Sequence, residues 1–131
     1  MKISKSCVGW HIEHALLTID AIVEALKRSN PKDYKWTFSL TRILVFTLNK
    51  IPRGRAQSPA SVQPAKNFTI DTLKDHIYIS KQKMGALESL KPNNYFKHPF
   101  FGKLNLKPAI KFIEIHTKHH INIINDILTK G

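Results

Sequence analysis

The sequence predicts an all-α domain, and three observations predict it. Apolar residues recur at spacings of three and four in three long segments, about 6–28, 69–91 and 106–128. Prolines stand just past the first two, at Pro31 and Pro92. No two segments alternate apolar and polar residues for long enough to argue a sheet. At 131 residues the chain reads as one domain, 1–131, large enough for a single core.

The first helix runs from about Ser6 to Arg28 and stops before Asn30-Pro31. Its main apolar stripe is Val8, Ile12, Ala15, Leu16, Ile19, Ile22, Val23 and Leu26. A second flank carries Cys7, His11, His14, Thr18, Ala21 and Ala25, which leaves only Glu13, Asp20, Glu24 and Lys27 as a wet strip. A helix with so little polar surface needs neighbours on two sides.

Residues 30–68 are the least regular. Ile43, Leu44, Thr47, Leu48 and Ile51 suggest a short helix over about 40–50, with a strand as the alternative. Pro52 to Pro64 reads as an extended loop, part of an irregular basic stretch at about 50–66. The next helix begins near Thr69 and ends before Pro92. Its seam is Ile70, Leu73, Ile77, Ser80, Met84 and Leu87, with His76 off the seam as an exposed or capping residue. The loop 93–102 carries Tyr95, Phe96, Phe100 and Phe101, aromatics suited to plugging one end of a bundle. Asn105 fits an N-cap and Pro108 a first turn for the last helix. The stripe of that helix is Leu106, Ala109, Ile110, Ile113, Ile121, Ile124, Ile127 and Leu128, opposite Lys111, Glu114, Lys118, Asn122 and Asn125.

Chemistry concentrates in that last helix. His116 and His120 are four apart, so on a helix they stand one above the other, about 40° apart around the axis. Two imidazoles at this spacing can grip one metal ion. Both lie within the apolar stripe, where an imidazole must find partners, and a shared metal satisfies one nitrogen on each. A buried, hydrogen-bonded histidine cluster in a structural or interaction protein is the alternative. His119 points about 100° away and is the weaker ligand. This helix is expected to be the most buried element.

The net charge is +12. Residues 27–66 hold nine Lys or Arg against Asp33 alone. Such a patch favours anionic partners: nucleic acid, phosphorylated or carboxylated small molecules, or an anionic surface. No helix-turn-helix, zinc-finger or aromatic RNA-binding pattern accompanies the charge, so nucleic acid is not favoured. No apolar run approaches the roughly 20 residues of a membrane span, and a membrane partner is not expected. The start of the chain shows no apolar signal region. The single cysteine, Cys7, excludes an internal disulfide and fits a reducing compartment, by default the cytoplasm.

Two segments together resemble the DinB-like (YfiT-like) superfamily of metal-binding helical bundles. One is Val8-Gly9-Trp10-His11-Ile12-Glu13-His14; the other is His98-Pro99-Phe100-Phe101-Gly102-Lys103-Leu104 followed by His116-Thr117-Lys118-His119-His120. The HPFFGKL loop is similar to that of a bacterial branch of the superfamily, and the likeness extends from about residue 6 to 128. The resemblance implies a four-helix bundle with one divalent ion held by three histidines. The Gly-x-x-x-x-His spacing carries the first ligand to His14, with His116 and His120 completing the set; the residues themselves do not decide between His14 and His11. All-imidazole ligation implies zinc or nickel. Relatives include thiol-dependent S-transferases and an isomerase using a low-molecular-weight thiol. The resemblance therefore implies a metal-dependent enzyme acting on a small thiol and an electrophile. Arg53 and Arg55 suit the carboxylates or phosphate of a cofactor. No catalytic side chain is assigned. There is no His-Glu-x-x-His, and Glu114 lies on the wet face, which favours thiolate transfer over hydrolysis. The alternative is a non-catalytic metal-binding or nucleic-acid-associated bundle.

The superfamily bundle carries a helix before the one bearing the first histidine, and here the sequence starts only a few residues ahead of it. A truncated bundle, closed as a homodimer over helix 6–28, is the expectation.

Overall fold

The computed structural model describes residues 7–53, 60–64 and 68–130. It contains four helices: α1 (Val8–Arg28), α2 (Leu40–Leu48), α3 (Ile70–Gly85) and α4 (Leu106–Lys130). Ser6, the expected start of the first helix, lies outside the described residues, and Cys7 is the N-cap. α2 forms as a helix and not a strand. It ends on Asn49, whose φ of 53° is the left-handed cap that asparagine tolerates. Thr69 caps α3 by accepting from the Thr72 backbone N–H at 3.2 Å.

One expectation is corrected at once. Residues 95–105 are not only loop: β1 (Tyr95–His98) and β2 (Gly102–Asn105) form an antiparallel hairpin pairing Phe96 with Leu104. Among the described residues the protein is therefore mostly helical with one small two-stranded sheet. Asn105 closes β2, and its amide donates to Asn93.

The HPFFGKL segment makes the turn of this hairpin. His98 Nδ1 accepts from the backbone N–H groups of Phe100 and Phe101, both at 3.1 Å. Gly102 adopts φ +75°, where a side chain would be strained. Phe101 is buried and stacks on His98 with ring centroids 4.0 Å apart. Its carbonyl accepts from the buried guanidinium of Arg42, which also donates to the Thr37 carbonyl. Arg42, one of the nine basic residues of the 27–66 stretch, is thus a buried tie between α2 and the hairpin.

α1 is the shared partner of α3 and α4, while α2 packs on α4. The C-terminal end of α1 is sealed by Asn94, whose amide donates to the carbonyls of Leu26 (3.0 Å) and Ser29 (3.2 Å). The apolar core gathers here, around Ile22, Val23 and Leu26 of α1, Phe96 and Leu104 of the hairpin, and Ala109, Phe112 and Ile113 of α4. Among the described residues no helix is long and apolar enough to cross a membrane.

Three facial assignments shift. On α1 the buried residues are His11, His14, Ala15, Thr18, Ile22, Val23 and Leu26, so His11, His14 and Thr18 of the second flank face inward while Cys7 and Ala21 stay exposed. Glu13 and Asp20, expected to be wet, both engage His76 of α3. On α3 Ser80 is buried, Leu73, His76 and Met84 are half-buried, and Ile70 and Ile77 face solvent; Leu87 is buried in the 3₁₀ turn Ala86–Ser89 that follows. Pairing a histidine with two carboxylates turns the helix away from its most apolar face. On α4 the buried residues are Ala109, Phe112, Ile113, Ile115, His120 and Ile123, while Ile110, Ile121 and Leu128 are exposed. α1, with seven buried residues in 21, is more buried than α4, with six in 25; the centre of the bundle is α1. α3 and α4 both pack against α1 within one chain.

Candidate metal centre

His14 lies two turns into α1, and His116 and His120 lie on adjacent turns of α4, facing it. One ligand nitrogen from each of the three can be chosen so that all lie within 4.8 Å of one another. The ring centroids are 4.6 Å apart for His116 and His120, 4.7 Å for His14 and His120, and 5.1 Å for His14 and His116. A tetrahedral ion with bonds of about 2.0–2.1 Å separates its nitrogens by about 3.3 Å. The widest pair must therefore close by about 1.5 Å for full ligation. The donor set suits a divalent ion of intermediate softness such as zinc or nickel.

The three rings are oriented by their surroundings. His14 Nδ1–H donates to the Val62 carbonyl at 2.7 Å, which leaves the ring's lone pair on Nε2. Val62 belongs to a short 3₁₀ turn, Ala60–Val62, inside the stretch read from sequence as extended loop. His120 Nδ1 meets His11 Nδ1 at 2.8 Å, one donating and the other accepting. Only the tautomer in which His120 donates keeps a lone pair on its Nε2. Such outer partners orient metal-binding imidazoles in known sites. His14 is the α1 histidine in the converging set, and His11 lies against His120.

Burial, more than any charge, sets the electrostatics. It pushes the His116 imidazolium down to about 3 and that of His120 to about 2, with neighbouring histidines adding to the effect. His11 falls to about 4, first through burial and then through the charges of His14, His119 and Arg53. His14 is lowered by burial against the opposing pull of its bond to Val62. The whole cluster is therefore neutral near pH 7, the state that offers lone pairs to a cation.

Aromatic rings wall the site. Trp10 stacks on His14 with centroids 4.8 Å apart and an interplanar angle of 19°. Phe112 lies 5.6 Å from His116 and 4.8 Å from His98, linking the hairpin turn to the triad. His98 is committed to its own turn and is not one of the converging ligands. His119 is half-buried, edge-on to His120, and outside the converging set. Gly9 allows Phe68 to pack here, since a Cβ at that position would overlap the Phe68 ring.

Arg53 pairs with Asp126 of α4 at 2.9 Å, and this bond holds the Asp126 carboxyl below its usual range. Its charge adds to the lowering of the His11 and His119 imidazoles that burial begins. Arg55 lies outside the described residues. Sequence reasoning missed Trp10, the Val62 carbonyl and the Glu13–His76–Asp20 group. Trp10 stands one turn before His14 and was legible from that spacing; the other two depend on contacts distant in sequence. No family model, curated protein or solved structure matches this chain.

Proposed function

We propose that this protein is a metal-dependent enzyme of the DinB-like type, with one zinc or nickel ion held by His14, His116 and His120. The observation that carries the reading is the convergence of three neutral, burial-depressed imidazoles from two helices. Three protein ligands leave a further coordination position for a small molecule, the pattern of a catalytic site and not of a closed structural one. When bound, the ion would lower the pKa of a thiol placed there and hold it ready as a nucleophile.

The chain's own residues define the rest. Val62 fixes the ring tautomer of His14, and His11 orients the ring of His120. Trp10 and Phe112 shield the cluster from water. Glu13, the acid next to His14 in sequence, is engaged by His76, and Glu114 is exposed, so neither is offered as a base. That arrangement supports transfer from a thiol over hydrolysis, which needs a base for water. Arg53 stands ready for an anionic group on the thiol or its electrophile, in competition with Asp126.

The test is thiol consumption with a low-molecular-weight thiol and an electrophilic haloarene, in protein loaded with zinc or nickel. Turnover that disappears with a chelator and in His120→Ala is expected. Metal uptake without any thiol consumption would remove the enzyme and leave a metal-binding protein; no uptake would remove both.

A further inference from the structure

α2 is built inside out. Its sequence, Leu-Thr-Arg-Ile-Leu-Val-Phe-Thr-Leu, has one charged residue, and that residue is buried: Arg42 is 8% exposed while Leu40, Leu44 and Leu48 are 61%, 53% and 66% exposed. The cause is local. The carbonyls of Phe101 and Thr37 need a donor, Arg42 supplies it, and the turn of the helix that puts Arg42 and Val45 inward puts the leucines outward. Leu40, Leu44 and Leu48 follow one another at four-residue spacing and form a ridge with Ile43 beside it. Trp36 and Phe38, in the segment leading into α2, are 66% and 69% exposed, and Trp36 rests one ring face on the Arg42 guanidinium, 5.3 Å from its centroid. Scattered exposed apolar residues are ordinary; six large ones within thirteen positions mark an interaction surface.

The charge around the ridge says what it meets. Residues 34–70 contain no Asp or Glu. Lys111 lines a depression of about 320 Å³ together with Ile43 and Phe46, and Lys103 lines a second, of about 220 Å³, together with Trp36. Lys107 stands one turn before Lys111 on α4, and Lys35 and Lys50 are exposed at the two ends of the ridge. A second copy fits poorly, because it would bring these cations against their own images in a chain of net charge +12. Single-stranded nucleic acid stacks on rings, and four of the six exposed residues are aliphatic. An apolar ridge with tryptophan and phenylalanine at one end and a lysine border is the make-up of an interfacial helix on an anionic bilayer.

We propose that Trp36, Phe38 and the Leu40–Leu44–Leu48 ridge dock this protein on an anionic membrane surface, with the lysines at the headgroups. The lack of a spanning helix, on which the expectation of no membrane partner rested, does not bear on a peripheral contact.

The experiment is co-sedimentation of the full chain with phosphatidylcholine vesicles, with and without roughly a third of phosphatidylglycerol. Binding to the anionic vesicles alone is expected, weakened at high salt. Leu40→Ser/Leu44→Ser and, separately, Lys107→Glu/Lys111→Glu should each lower the partition coefficient by about tenfold or more. Circular dichroism checks the folding of each variant. A readout free of that concern is quenching of wild-type fluorescence by brominated anionic lipid, expected to fall sharply in Trp36→Phe. Equal binding to neutral vesicles, full binding by the leucine variant, or quenching that survives Trp36→Phe would each overturn the proposal. So would a wild-type dimer that the leucine variant splits in light scattering, or binding to an RNA oligonucleotide or an acidic protein with none to vesicles.

Discussion

Replacing His76 by leucine should strip α3 from α1 far more effectively than its half-exposed position on the helix suggests. His76 Nε2 meets Asp20 Oδ2 at 2.6 Å, its Nδ1 meets Glu13, and Ser80 donates to the other Asp20 oxygen at 2.7 Å. The side chains of His76, Glu13 and Asp20 each retain only 15% of their exposure. Removing one member of a buried ionic group costs about 3–5 kcal/mol, because the remaining charges stay desolvated. Water still reaches this group, so about 2–3 kcal/mol is expected. For a chain of this length that corresponds to a fall in Tm of roughly 8–12 °C. The loss should carry a pH signature. Bonds to Asp20 and Glu13 outweigh burial and raise the His76 pKa above its usual 6.5. A raised folded-state value means that the stability it contributes is fully present below 6.5 and fades as pH rises through the folded value. Urea unfolding of wild type and His76→Leu should therefore differ most in mildly acidic buffer and least in alkaline buffer. In the His76→Leu background, Asp20→Asn should restore part of the loss. A difference below about 0.5 kcal/mol, or one that grows as pH rises, would refute the reasoning.

Three other outcomes follow from the geometry. His11→Ala should weaken metal binding about 10- to 100-fold without abolishing it, as loss of an orienting partner does, measured by competition with a chelating dye. Gly102→Ala should cost about 1–2 kcal/mol in chemical unfolding, since φ is +75° and the new Cβ would stand 2.9 Å from Thr37 Oγ1. Metal-free protein should lose stability as pH falls below 6.5. The unfolded chain then takes up protons that His11, His98, His116 and His120, with folded values of about 4, 4, 3 and 2, refuse. The limiting slope is about 1.4 kcal/mol per pH unit for each such residue, and a flat acid limb in thermal melts would contradict it.

Much of this was legible from local pattern. The C-terminal end of α1 follows from Asn30-Pro31, the start of α3 from Thr69, and the spacing of His116 and His120 from helical geometry alone. What local pattern could not show was rotation. The α3 seam read from sequence contains Ile70 and Ile77, and both face solvent because His76 turns inward to Asp20 and Glu13. The same limit applies to α2, where one buried arginine outweighs three leucines. The hairpin escaped because its strands are four residues each, too short for alternation to register, and because its stability rests on His98, Arg42 and Asn94 contacts. His14 against His11 was undecidable on one helix; it needed the positions of Val62 and His120.

The central claim is that three particular histidines hold one ion, and metal stoichiometry tests it most directly. Purified protein exposed to zinc or nickel, dialysed and assayed by elemental analysis should retain about one ion per chain. His14→Ala, His116→Ala and His120→Ala should each retain almost none, while His119→Ala keeps its full complement. Wild-type protein without stoichiometric metal, or equal loss from His119→Ala and His120→Ala, would contradict the account.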